Sequence, residues 1–400
     1  MAELSHPRVL FFVEGHTDIR FVVGLSEICD LTMAVPARAY ADSGLKARVA
    51  ASGARLHVHE IAGGRASFQL RSAAFLWNAV RDFDVVFSQE MLRGSVNATL
   101  VGAIRGVPVV TSMALPPLEY FRCRRERGQI GAASAWAGET AIRSLLFING
   151  KLATKCLALG PYLRAVAGRY CERTEPWHYY GVDVTTFRPA SSDERIALRK
   201  KLGLPLEKFL IVLSSRISHE KDPETVLRAV AGARAAGLDA IVLNLGGGYE
   251  QFLALARTLD VPEVSSWVMG RPAAHPMTEL ADYIRAADAL LQGSLEEGLG
   301  LSPLEALACD VPVVATDVGG LAHLDGYATL TARRDADGMT RAVLAIASDP
   351  AAARRHAQRG REYVRRCWSR DVAFQSLRGV LTDIARGRAA TREALCSSRM

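Results

Sequence analysis

At 400 residues the chain is longer than one ordinary hydrophobic core organises, so two domains are expected. Hydrophobic residues are 49% and charged residues 23% of the total, which is a globular, soluble composition. The formal charge of +7, carried mainly by arginine, suits anionic ligands or an anionic membrane surface, while the absence of a recognition motif and the sparse aromatics set nucleic acid aside. The seven cysteines are scattered (Cys29, Cys123, Cys156, Cys171, Cys309, Cys367 and Cys396), odd in number and free of Cys-x-x-Cys pairs. That pattern fits a reduced cytosolic protein better than a disulfide framework or a zinc ribbon. Glu3 and Pro7 break any apolar leader, and no window is apolar enough to span a bilayer.

In chain order, Arg8 to Val13 reads as a buried strand, Glu14-Gly15-His16 as a tight loop and Ile19 to Ile28 as a helix. The later glycines of a dinucleotide fingerprint are missing, which counts against an NAD enzyme. Strands follow at Leu31–Val35 and Leu56–Ile61. On the latter, His57 and His59 share one side; a metal pair is one reading, but surface imidazoles without a third ligand are the simpler one. Phe68 to Phe83 has helical spacing, with Trp77 assigned to the core. Asp84–Ser88 and Val107–Thr111 are further strands, and Lys155–Leu159 reads as the last of this half. Between them, Leu118 to Arg127 is strongly basic with flanking aromatics, and Ala141 to Leu159 is apolar and helix-prone. This pair is either a surface for anionic lipid or a solvated helix face beside a core helix. Strand–helix alternation predicts a doubly wound parallel sheet.

Pro189 to Asp193 is a polar linker, and the domain boundary is placed there. Phe209–Ser214 opens the second half as a strand. Arg216 and Lys221 follow in the loop, and Asp222-Pro223-Glu224 caps a helix reaching about Ala236. Two cations beside a helix start suit a diphosphate. Ala240–Leu245 is a strand ended by Gly246-Gly-Gly, whose glycines either admit a ligand or only turn the chain. Ser266–Met269 precedes Gly270-Arg271-Pro272, Glu279–Ala287 is a helix, and Ala289–Gln292 is a short strand. Arg361 to Gly387 is helical in its spacing, and Thr391 onward reads as a frayed end.

The stretch after Gln292 combines a Glu296–Glu297 pair, bare backbone at Gly298 and Gly300, a predicted helix start at Ser302-Pro303, and Glu305 on the first turn. It leads into the strand Val311–Thr316. A loop of this kind at the carboxyl end of a parallel strand presents free N–H groups to a phosphate. Ser302-Pro-Leu-Glu305 is equally a capping box. The run Glu297-Gly-Leu-Gly-Leu-Ser-Pro-Leu-Glu-Ala-Leu-Ala-Cys-Asp-Val-Pro-Val-Val-Ala, with seven residues between its two glutamates, resembles the donor-binding signature of the retaining glycosyltransferases of the GT-B fold, the "family 4" group. Leu299 stands where that family usually has Phe, and Asp310 where it has Gly.

The resemblance implies an α/β chain of two Rossmann-like, doubly wound domains facing a cleft. They are residues 1–188 for the acceptor and 189–365 for the nucleotide-sugar donor, with a tail of residues 366–400 crossing back to the first domain. It assigns Arg216 and Lys221 to the donor diphosphate and Glu305 to ribose hydroxyls. Glu297 and the amides of Gly298, Leu299, Gly300, Leu301 and Ser302 orient the sugar, and Arg271 lines the nucleobase pocket. Gly15 and His16 lie near donor phosphate and acceptor. Glu297 as a nucleophile is the alternative to front-side attack assisted by the donor phosphate. Thr111-Ser-Met113 lacks the family's acceptor-side His, and Tyr180 replaces the Asn that usually precedes Gly181-Val-Asp. No metal or other cofactor is implied. The acceptor is expected to be a glycan precursor, lipid-linked or of polysaccharide type. An epimerase, or a nucleotide-sugar binder without transfer activity, are the rival readings.

Overall fold

The computed structural model describes residues 6–15, 17–259, 263–272 and 276–397. The chain divides into two compact units, residues 1–180 with 371–400, and residues 181–370. Each contains one all-parallel sheet.

The first unit holds β1 (Arg8–Phe12), β2 (Asp30–Pro36), β3 (Leu56–Ile61), β4 (Val85–Ser88), β5 (Val109–Met113), β6 (Lys155–Leu159) and β7 (Thr174–Trp177), in the order β3-β2-β1-β4-β5-β6-β7. The central strands are apolar runs without alternation because helices cover a parallel sheet on both sides. Val9 to Phe12 are accordingly at most 1% exposed. Phe11 stacks on Phe87 of β4 at 5.5 Å and meets Phe21 edge-on at 5.4 Å. Phe21 belongs to the helix Ile19–Ile28, which starts where the Asp18 carboxylate accepts from the Arg20 N–H at 2.9 Å.

Three sequence expectations fail in this unit. β6 is not the last strand: β7 pairs outside it, from Cys156↔Thr174 to Leu159↔Trp177. Glu175 and Pro176 hide β7 in the sequence, and only an edge position tolerates that proline. Trp77 is 44% exposed. The helix Arg65–Ala79 turns Phe68, Ser72 and Leu76 inward, and Trp77 lies on its flank under the Arg105 guanidinium, 4.7 Å from the ring centre. The tail does not fray at Thr391, since its helix runs from Arg370 to Ser397. His57 and His59 are exposed on the edge strand β3, with His59 stacked on Phe75 at 4.1 Å. No group of three metal-ligating side chains exists among the described residues.

The second unit holds β8 (Phe209–Leu213), β9 (Ala240–Asn244), β10 (Val268–Gly270), β11 (Ala289–Gln292), β12 (Val313–Thr316) and β13 (Thr329–Thr331), in the order β10-β9-β8-β11-β12-β13. β11 pairs with β8 through Leu290↔Val212 and with β12 through Leu290↔Val313. The chain builds the sheet outward from β8 in one direction, then returns to add β11 on its other side. The loops after β8 and β11 therefore flank a topological switch point, where open α/β sheets take ligands.

Candidate functional site

The loop after β8 carries Arg216 and Lys221. It closes in a tight turn, His219–Lys221, with the Lys221 N–H on the Ser218 carbonyl at 3.1 Å. Asp222 then caps the helix Pro223–Ala235, its carboxylate accepting from the Thr225 hydroxyl at 2.6 Å. The neighbouring loop after β9 passes so close that a Cβ at Gly246 would lie 1.9 Å from the Ser215 carbonyl carbon, so only glycine fits there.

Across the switch point stands Glu297, from the loop after β11. Lys221 Nζ donates to its Oε2 at 2.6 Å, with the two side chains 19% and 13% exposed. The same oxygen faces Gln292 Nε2 at 3.2 Å and Ser294 Oγ at 3.4 Å, and Oε1 accepts from the Gly298 N–H at 3.2 Å. Four donors thus converge on one carboxylate. The Leu295 N–H on the Glu220 carbonyl, 2.8 Å, joins the two loops through their backbones.

The helix after this loop runs from Leu301 to Ala308 and is capped by Gly300 in the left-handed region, φ 92°. Ser302 is therefore inside the helix, not its cap, and no capping box forms. The hydroxyl of Ser302 instead donates to the Ser214 carbonyl at 2.7 Å, tying the helix start to the end of β8. Glu305 is 4% exposed and Leu299 2%.

Arg216 is placed differently from Lys221. Its side chain is 74% exposed and bonds Glu220 at 3.2 Å. Arg271 follows β10 with its N–H on the Asn244 carbonyl at 3.0 Å, and its guanidinium turns to Tyr283 Oη at 3.2 Å and the Gly270 carbonyl at 3.1 Å. Gly15 follows β1 in the first unit and is exposed; His16 lies outside the described residues. The structure thus brings Lys221, Glu297, Gly298 and Ser302 to one strand-end, with Arg216 beside them through Glu220.

Sequence reading missed Gln292 and Ser294, which hold Glu297. Their signal was present: both are polar and at most 2% exposed at the end of an apolar run, and such residues need a partner. It also missed His323, in the short turn Gly319–Leu324. Its Nε2 is 3.2 Å from the Leu299 carbonyl and its Nδ1 2.9 Å from Tyr363 Oη. Burial lowers its pKa to about 4, the Leu299 hydrogen bond opposing only part of that shift, so the ring is neutral near pH 7.

Residues 194–363 match the family model described as glycosyl transferases group 1. A D-inositol 3-phosphate glycosyltransferase of Catenulispora acidiphila is 35% identical over 260 residues, covering 62% of this chain and 59% of that protein. A second, from Mycolicibacterium paratuberculosis, is 38% identical over 178 residues, 43% of this chain and 39% of that one. Both alignments thus span less than two thirds of the relative's length. Among solved structures, Alr3699/HepE of Anabaena in complex with UDP superposes with a TM-score of 0.75 at 15% identity, covering 94% of this chain and 99% of that one. WaaG, a glycosyltransferase involved in lipopolysaccharide biosynthesis, gives 0.69 at 16% identity, covering 94% and 99%. The two parallel sheets and these neighbours are those of the GT-B fold. The chain therefore carries a glycosyl transferases group 1 domain over residues 194–363, set within the GT-B fold.

Proposed function

We propose that the chain is a retaining glycosyltransferase that moves a sugar from a nucleoside-diphosphate sugar to a glycan precursor. The observation that carries this reading is the Lys221–Glu297 pair at the switch point, beside the helix start at Gly300–Ser302. A cation and a helix N-terminus suit a diphosphate, and a carboxylate held by fixed donors suits sugar hydroxyls. On this reading Lys221 and Arg216 stabilise charge on the leaving diphosphate as the glycosidic bond breaks. Glu297 and the amides of Gly298 to Leu301 orient the sugar, and Glu305 takes the ribose. Arg271 contributes its backbone to the nucleobase pocket, because its guanidinium is engaged elsewhere. Gly15 and His16 belong to the acceptor side.

The two cations take the place a divalent metal occupies in other phosphate chemistry, so chelation should leave turnover unchanged. The neighbours bound to UDP and UDP-glucose favour a UDP-sugar donor. The relatives' names add D-inositol 3-phosphate to the acceptors worth testing. Attachment to an anionic inner membrane face is supported by the basic helix Glu119–Glu126 and by Trp136 and Phe147, 71% and 55% exposed on the next helix. No helix among the described residues is long and apolar enough to cross a membrane.

The deciding experiment measures nucleotide release from UDP-, GDP- and ADP-sugars, with and without lipid extract or inositol phosphate. The product's anomeric configuration is read by NMR. A glycosyl product with the donor's configuration supports the proposal, and an inverted one overturns the retaining mechanism. Nucleotide release without glycosyl product moves the assignment to an epimerase or hydrolase, and binding without release to an inactive binder.

A further inference from the structure

The segment Gly319–Leu324 lies directly behind the loop that carries Glu297. The Gly320 N–H donates to the Glu297 carbonyl at 2.8 Å, and His323 reaches the Leu299 carbonyl at 3.2 Å. Two peptides of the loop therefore turn their carbonyls to one side. In a trans peptide the N–H points opposite to the C=O. The Gly298 N–H shows the result: it emerges on the other side and meets Glu297 Oε1 at 3.2 Å. By the same planarity the Gly300 N–H, partner of the Leu299 carbonyl in its peptide, points away from His323.

The hydrogen bonds also define the imidazole. A carbonyl only accepts, so Nε2 carries the proton; Nδ1 of the neutral ring then accepts from the Tyr363 hydroxyl at 2.9 Å. Tyr363 is itself stacked on Tyr327 at 4.4 Å with a 7° interplanar angle, and the imidazole packs 5.3 Å from Trp368. The relay runs Tyr363 O–H to His323 Nδ1, then Nε2–H to the Leu299 carbonyl, in a pocket that keeps the ring neutral.

We infer that His323 and Tyr363 are a positioning pair: with Nε2–H on the Leu299 carbonyl and Nδ1 held by the Tyr363 hydroxyl, the ring fixes the Leu299–Gly300 peptide and aims the Gly300 N–H at the sugar-phosphate of a nucleotide-sugar donor. This rests on the donor reading proposed above. Neither residue touches the reacting atoms; they act through the peptide, whose preorientation spares the site from reorganising during transfer.

The test has two arms on the intact 400-residue chain. Ring nitrogen NMR, with the His323 signals assigned by difference from His323→Gln, should show a neutral Nε2-protonated imidazole near pH 7. Tyr363→Phe, which keeps the aromatic stack, should keep that tautomer, set by the Leu299 carbonyl, but shift the Nδ1 resonance as its hydrogen bond is lost; an unmoved Nδ1 resonance overturns the part of Tyr363 in the relay. An Nδ1-protonated ring in the wild type overturns the relay. In the kinetic arm, His323→Leu should lower kcat about tenfold while moving the donor KM less than roughly threefold. His323→Gln should recover most of the loss, because its amide N–H reaches the same carbonyl. A His323→Leu protein with wild-type kcat, or a glutamine variant no better than the leucine one, overturns the positioning role. If the wild type transfers no sugar at all, the functional reading falls, and the tautomer spectrum decides the relay alone.

Discussion

Lys221 Nζ and Glu297 Oε2 stand 2.6 Å apart although 75 residues separate them in the chain, joined across the β8–β11 switch point with both side chains mostly shielded from water. The pair is more than a surface ion pair, since Gln292, Ser294 and the Gly298 amide also converge on the carboxylate. Removing the lysine takes away the cation paired with Glu297, while Gln292, Ser294 and the Gly298 amide keep the carboxylate in place. Lys221→Ala should therefore fold, by circular dichroism, and lose two or more orders of magnitude in turnover, as expected for a preorganised charge. Unchanged turnover in a folded variant would sink the assignment of Lys221.

Arg216 separates stability from function. Its guanidinium is 74% exposed and paired with Glu220, an arrangement worth less than ~1 kcal/mol to folding. Arg216→Ala should leave the urea midpoint nearly unmoved. Turnover with a nucleotide-sugar should fall by about tenfold or more if the side chain swings onto the diphosphate. A midpoint shift without a rate effect would make Arg216 a purely structural residue.

His323 supplies a pH signature. Burial depresses its pKa from 6.5 to about 4 in the folded protein. A depressed histidine pKa means that the unfolded chain binds the proton more tightly. Its contribution is therefore fully present above pH 6.5 and is lost as pH falls towards 4. The shift corresponds to about 3 kcal/mol at the acid end. Urea unfolding of the wild type should show a steeper loss of stability across that window than His323→Gln. Parallel curves would show that the imidazole titrates normally.

Gly320 tests the loop's backing. A Cβ there would lie 1.9 Å from the Gly298 carbonyl oxygen, which is backbone and cannot rotate aside. Gly320→Ala should push the Glu297–Gly300 loop forward and destabilise the protein by about 1–3 kcal/mol. It should also weaken UDP binding, read by calorimetry, more than a remote substitution of equal destabilisation. Wild-type affinity in a destabilised Gly320→Ala protein would separate the loop's position from binding.

Much of the fold was legible because parallel strands buried on both faces leave uninterrupted apolar runs. The helix Ile19–Ile28 and the strands Leu56–Ile61 and Ala289–Gln292 have the bounds read from sequence. Strand β7 was not legible, because Pro176 imitates a loop and only its place at the sheet edge makes it a strand. Trp77 misled because helical spacing does not say which flank of an apolar stripe faces the sheet. Asp310, where glycine is usual in the resembled family, shows the reverse case. Its φ of 57° explains a preference for glycine, and Arg361 holds its carboxylate at 2.9 Å.

The α/β class, the glycine-broken Glu297–Glu305 motif and the cations and carboxylates near it can be read from the chain alone, since these rest on local periodicity and spacing. How they combine depends on the folded sheet. It turned Ser302 from a helix cap into a tie to Ser214, set Lys221 on Glu297, and brought Gln292, Ser294 and His323 to the same loop. The physical reason is that hydrogen-bond partners are chosen by strand order. The order β8-β11-β12 places side by side loops that are far apart in the chain, and no local pattern records that adjacency.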